Sequence, residues 1–123
     1  MGNLPAGTRI RTGVPAERPE AALAALVNLF SARDDVISGR LGLMEVFDAG
    51  GSSEFSYTIG IECSGDVDAI LRCAAEALES VPTERWPIDL MPFTREYFPP
   101  EAIVFFGNDK AWGWFSRLFA GGR

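Results

Sequence analysis

Between residues 54 and 63 the side chains alternate without a break. Phe55, Tyr57, Ile59, Ile61 and Cys63 are interleaved with Glu54, Ser56, Thr58, Gly60 and Glu62. A period of two is the period of a strand, with one face on a core and the other toward water. The run before it, Val36 to Phe47, is apolar on both faces from Leu41 onward except for Glu45. That describes an interior strand, bulged near Gly39 or Gly42. Asp48-Ala49-Gly50-Gly51-Ser52-Ser53 supplies turn chemistry between the two runs, so an antiparallel hairpin is expected. An isolated hairpin is marginal in water, so the rest of the chain must cover its apolar face.

Two segments have the pattern to do so. Pro19 and Glu20 open a helix in which Leu23, Leu26, Val27 and Phe30 share a face, ending near Ala32-Arg33. Asp66 suits an N-cap, and Val67, Ile70, Leu71, Ala74, Leu78 and Val81 share the face of a second helix that Pro82 stops. Thr8 to Thr12 alternates as a short edge strand, Pro87 to Met91 is a short strand, and Ile103 to Phe106 is a strand of the fully buried type. The expected order is β-α-β-β-α-β-β. The fold class is α+β, with an antiparallel or mixed sheet of about five strands and two helices on one face. Residues 1–8 read as a lead-in, 9–107 as the domain and 108–123 as a tail.

The tail is tested by its phase. At about 100° per residue, Trp112, Trp114, Phe115, Leu118 and Phe119 fall within half of the helical circle, and Asp109, Lys110, Gly113, Ser116 and Arg117 fill the rest. This is a short C-terminal amphipathic helix, too short to stand alone. Its expected docking surface is its own sheet, a second copy or another protein, with a membrane surface ranked last.

Composition narrows the function. The chain has 123 residues, 47% of them hydrophobic, and a net charge of -6. An acidic balance opposes nucleic acid and anionic membranes and favours a basic protein partner. The chain contains no histidine, which excludes Ser-His-Asp and Cys-His pairs and any imidazole metal ligand. No apolar run has the form of a secretory signal or reaches the roughly 20 residues of a membrane span, so a cytoplasmic protein is expected. Cys63 and Cys73 are then most simply buried free thiols, with a Cys63–Cys73 bond the minor alternative on spacing alone. Neither an enzyme nor a cofactor or metal site is expected: Asp34, Asp35 and Asp48 lack calcium-loop spacing, and Glu54 and Glu62 are roughly 26 Å apart along one strand.

The stretch Val14-Pro15-Ala16-Glu17-Arg18-Pro19-Glu20-Ala21-Ala22-Leu23 opens the first helix, which runs to Leu29-Phe30-Ser31-Ala32-Arg33. With the later Pro87-Ile88-Asp89-Leu90 and the closing pair Phe105-Phe106, it resembles the C-terminal domain of the bacterial enhanced-serine-sensitivity (SseB) protein family over residues 9–106. The resemblance implies an α+β domain, bacterial and cytosolic, with no established reaction and hence no catalytic residue to carry over. Small stand-alone relatives lie beside secreted toxins, which implies an immunity role.

Residues themselves point to partner binding at two places. Arg85, Trp86, Phe93, Arg95, Tyr97 and Phe98 put large aromatics and arginines in loops, the vocabulary of interfaces. Trp112, Trp114, Phe115 and Phe119 form the apolar stripe of the tail. The expected function is a non-catalytic protein-binding or regulatory domain, most concretely an immunity-type protein that neutralises a toxin. The alternative is a metabolite-binding regulator or small enzyme, with Glu45, Arg40 and Asp89 as convergent groups and Arg40 as a salt-bridge partner for Glu45.

Overall fold

The computed structural model describes residues 9–82 and 85–107. In chain order these form β1 (Arg9–Gly13), α1 (Glu20–Ser31), β2 (Val36–Phe47), β3 (Ser53–Cys63), α2 (Val67–Leu78), β4 (Ile88–Pro92) and β5 (Ile103–Gly107). The proposed tail helix lies outside the described residues.

The hairpin is the centre of the sheet. β2 and β3 pair antiparallel from Phe47–Ser53 to Val36–Cys63. Their turn is tied by Asp48, whose carboxylate accepts from the Gly50 and Ser52 N–H groups at 2.9 Å each. Gly51 takes φ 91 in that turn, a conformation that suits glycine. β4 lies on the far side of β3 and runs parallel to it, from Tyr57–Ile88 to Ile61–Pro92. Two parallel neighbours need a crossover, and α2 supplies it. The sheet is therefore mixed.

The other edge of β2 is shared. β1 pairs with its second half, residues 43–47, and β5 with its first half, residues 38–41, both antiparallel. The register of β5 shifts between Gly39 and Arg40. The extra residue is Phe105 on β5, whereas the bulge expected within β2 near Gly39 or Gly42 falls instead between Val36 and Ser38; the extra residue of β5 has a specific use. Phe105 and Phe106 are successive residues, yet both rings meet Phe30 of α1, at 6.3 and 5.4 Å between centroids. Without an extra residue, neighbours on a strand point to opposite faces. Gly39 completes the device, since a β-carbon there would lie 2.7 Å from the Phe105 ring.

Both helices cover the same face. The core joins Leu23, Leu26 and Phe30 of α1 to Leu41, Tyr57, Ile59 and Ile61 of the hairpin and to Ile70 and Ala74 of α2. The helix ends follow local chemistry. Pro19 precedes α1 and is buried, and its carbonyl accepts from Leu23 N–H at 3.0 Å. The proline-rich opening thus works as a helix entry. Asp66 caps α2 by accepting from the Asp68 and Ala69 N–H groups at 3.0 and 3.3 Å. α2 ends at Leu78, a turn short of Pro82. Cys63 and Cys73 are both half-buried free thiols.

Candidate functional site

The face of the sheet opposite the helices carries the other phase of each strand: Arg40, Gly42, Met44 and Val46 on β2, Ser56, Thr58, Gly60 and Glu62 on β3. The alternation predicted a wet face here. Instead, Thr58 is fully buried and Ser56 is 8% exposed. The cover is the connection from Phe93 to Ala102, which folds back over the hairpin.

Two glycines make room for it. A β-carbon at Gly60 would lie 2.7 Å from the Phe98 ring, and one at Gly42 would lie 3.4 Å from it. Phe98 sits on this bare patch of backbone and is only 3% exposed. Its ring lies 5.6 Å from that of Phe93. The Arg40 guanidinium stacks over the outer neighbour, 4.1 Å from the Phe93 ring centroid. Phe98 is therefore the foundation of the loop rather than a surface it presents.

The Phe93 ring divides the rest of the face into two concavities. On one side is a hollow of about 570 Å³ lined by Ile10, Met44, Val46, Met91, Phe93 and Tyr97, residues of three strands and a loop that sequence order scatters. On the other is a pocket of about 380 Å³ lined by Arg40, Phe93, Arg95, Phe98, Pro99 and Val104. Burial pushes the Tyr97 phenol above its ordinary range, and the Glu96 charge adds to this. Tyr97 is thus a neutral hydroxyl at neutral pH, at the lip of the hollow.

Exposed acids share this face with the hollow. The strand register puts Glu54 opposite Val46, and Asp89 two residues before Met91 on β4. Glu96 itself lines the hollow. All three are exposed.

The loop residues expected to form one surface lie on two. Trp86 is on the helix side, its ring 5.0 Å from Phe55 and 5.4 Å from Tyr57. Arg85 stacks on it at 4.7 Å and pairs weakly with Glu17 at 3.9 Å. Phe93, Arg95, Tyr97 and Phe98 are on the opposite face. Trp112, Trp114, Phe115 and Phe119 lie outside the described residues. The convergence of Glu45, Arg40 and Asp89 does not form. Glu45 points to the helix side and pairs with Arg11 at 3.7 Å, whereas Arg40 is on the other face, 3.8 Å from Glu62. A strand's two-residue period separates residues 40 and 45 in this way.

Sequence reasoning missed Ile10, Met44, Val46 and Met91. The signal was present: β2 was apolar on both phases, and an interior strand apolar on both faces is covered on both. Gly42 and Gly60 carried the same message, because glycine inside a strand marks a close approach.

Among the described residues no group of three or more His, Cys, Asp or Glu is placed to hold a metal ion. None of the described helices is long and apolar enough to cross a membrane. The architecture is that of an α+β domain with one mixed five-stranded sheet, helices on one face and a folded loop on the other. A family model described as the SseB protein C-terminal domain matches residues 4–106, and the chain belongs to that family. No curated protein and no solved structure matches the sequence.

Proposed function

We propose that this domain is a non-catalytic protein-binding module. Its helix-free face takes an apolar side chain of a basic partner into the hollow beside Tyr97. The observation that carries this reading is the pairing of an apolar concavity with the exposed carboxylates Glu54, Asp89 and Glu96 on one face. Apolar anchors in pockets supply most of the affinity of an interface, while rim charges set approach and partner choice. Met44 and Met91 in the lining are flexible and can repack around an incoming group. The net charge of -6 acts in the same direction at longer range. In its most concrete form the partner is a toxin and the domain its immunity protein.

The non-catalytic part of the reading rests on the absence of histidine, and four of the acids already have structural tasks. Asp35 is forked onto Arg33, Asp48 ties a turn, Asp66 caps α2, and Glu62 accepts the Ser38 hydroxyl.

The test is quantitative capture from the native cells by three tagged chains: the natural one, Met91→Lys and Arg72→Gln. Met91 lines the hollow, and Arg72 is exposed on α2 across the sheet. A basic protein retained by the natural chain and by Arg72→Gln, and reduced at least about tenfold by Met91→Lys, is the expected result. Equal retention by all three, or retention of no protein, contradicts the reading.

A further inference from the structure

On the far side of the Phe93 ring, we propose that the pocket between Arg40 and Arg95 binds a small monocarboxylate with a flat apolar body. This site is separate from the hollow and stands whether or not a protein occupies that surface.

The first observation is the state of Arg40. Its side chain is held in place by the Phe93 ring, 4.1 Å beneath the guanidinium, and is 19% exposed. The nearest carboxylate oxygen is Glu62 Oε1 at 3.8 Å, too long for a hydrogen bond. That oxygen already accepts from Ser38 Oγ at 3.0 Å. Arg40 Nε is buried and has no hydrogen-bond partner. Largely buried guanidinium groups are ordinarily paired and hydrogen-bonded, because desolvating the charge is costly. Here a positioned guanidinium lines a pocket with its hydrogen-bonding capacity largely unspent. A carboxylate is the group whose two oxygens match the guanidinium fork.

The second observation is the wall. Apart from Arg40 and Arg95, the lining consists of Phe93, Phe98, prolines, Ala102 and Val104. An apolar body fits against two rings tilted at 44° and the faces of Pro99 and Pro100. The volume of about 380 Å³ falls in the small-ligand range of about 300–1,000 Å³.

The third is the charge. Arg95 is exposed at the pocket's edge, in a chain that is otherwise acidic. Two arginines against Glu62 leave one net positive charge. One carboxylate neutralises it; a phosphate dianion would overshoot and leave charge against apolar walls.

The probe is benzoate, titrated into the full ¹⁵N-labelled chain, with benzamide and inorganic phosphate as comparisons. The readouts are the Arg40 Nε–H resonance and the backbone amides of Phe98 and Val104. A ligand of nine heavy atoms at modest efficiency should bind with a dissociation constant of about 1 mM. The expected result is saturable movement with benzoate and at least tenfold weaker binding of benzamide, about 1.4 kcal/mol. Phosphate should not compete. Arg40→Gln should weaken benzoate at least about tenfold and the exposed Arg95→Gln about threefold, while Arg11→Gln on the other face leaves it unchanged. Arg40→Gln also removes a stacked side chain, so its thermal melt is read alongside; Arg95→Gln tests the site where that variant fails to fold. Equal binding of benzoate and benzamide would overturn the proposal, as would competition by phosphate, indifference to both arginine changes, or no saturation.

Discussion

Arg33 and Asp35 show how a single pair fastens the exit of α1 to the start of β2. The guanidinium donates to both carboxylate oxygens, Nε to Oδ1 at 3.0 Å and Nη2 to Oδ2 at 3.1 Å. These hydrogen bonds hold the Asp35 carboxyl below its usual value near 3.8, and the Arg33 charge adds to them. Arg33 is raised in turn, first by the same hydrogen bonds. A carboxyl whose folded pKa lies below its unfolded one binds fewer protons when folded. Its stabilisation is complete above about 3.8 and is lost as the pH falls through the lower, folded value. Asp35→Asn should therefore lower the urea midpoint slightly at pH 7, and the deficit relative to the natural chain should close in acid below that value. The pair is partly solvent-exposed, so the effect is small. A deficit that persists unchanged below the folded pKa would assign the loss to something other than ionisation. None of this was visible in the sequence, where Asp34 and Asp35 were weighed only against the spacing of a calcium loop.

The loop from Phe93 to Ala102 is the element that decides the character of the molecule. It converts the second face of the hairpin from open surface into two walled concavities. Its seating depends on Gly60, where a β-carbon would lie 2.7 Å from Phe98 ring carbons and 3.2 Å from Phe93 Cα. Gly60→Ala must displace the Phe98 ring and strain the seat of the loop. The expected cost is about 1–3 kcal/mol in urea unfolding. Gly13→Ala, where a β-carbon meets nothing within 4 Å, should change stability by less than about 0.5 kcal/mol. Equal effects at the two glycines would show that the loop is not anchored as described. The strands and helices were legible because each repeats a short period: two in β3, and the i, i+3, i+4, i+7 pattern in α1. Asp66 was legible because capping is local chemistry. The position of the loop was not, because it depends on where residues 93 and 98 meet residues 40, 42 and 60 after folding. Its aromatics stand out in the sequence, but their phase relative to a distant strand has no sequence period to reveal it.

At the scale of the whole chain, the sheet separates two jobs. The helix side holds the core, with Phe30, Ile59, Ile61 and Ile70 excluded from water. The opposite side carries the hollow, the carboxylates on its face and the arginine pocket. The order of elements was readable from the sequence, as was the family through its proline-rich helix entry and closing phenylalanines. The division of β2's free edge between β1 and β5 was not. Two five-residue strands that share one long partner are indistinguishable in sequence from two strands on opposite edges. The candidate site suffered for the same reason, since Ile10, Val46 and Met91 come together only through that arrangement.

The central claim is that a basic protein docks on the helix-free face. Its most direct test is site-specific photo-crosslinking in the native cells, with a photoreactive phenylalanine analogue placed at Tyr97 or at Arg72. Tyr97 lies at the lip of the hollow, and Arg72 is exposed on α2. The account predicts one discrete adduct from position 97, to a protein of basic isoelectric point, and none from position 72. No adduct from position 97, or the same adducts from both positions, would contradict it.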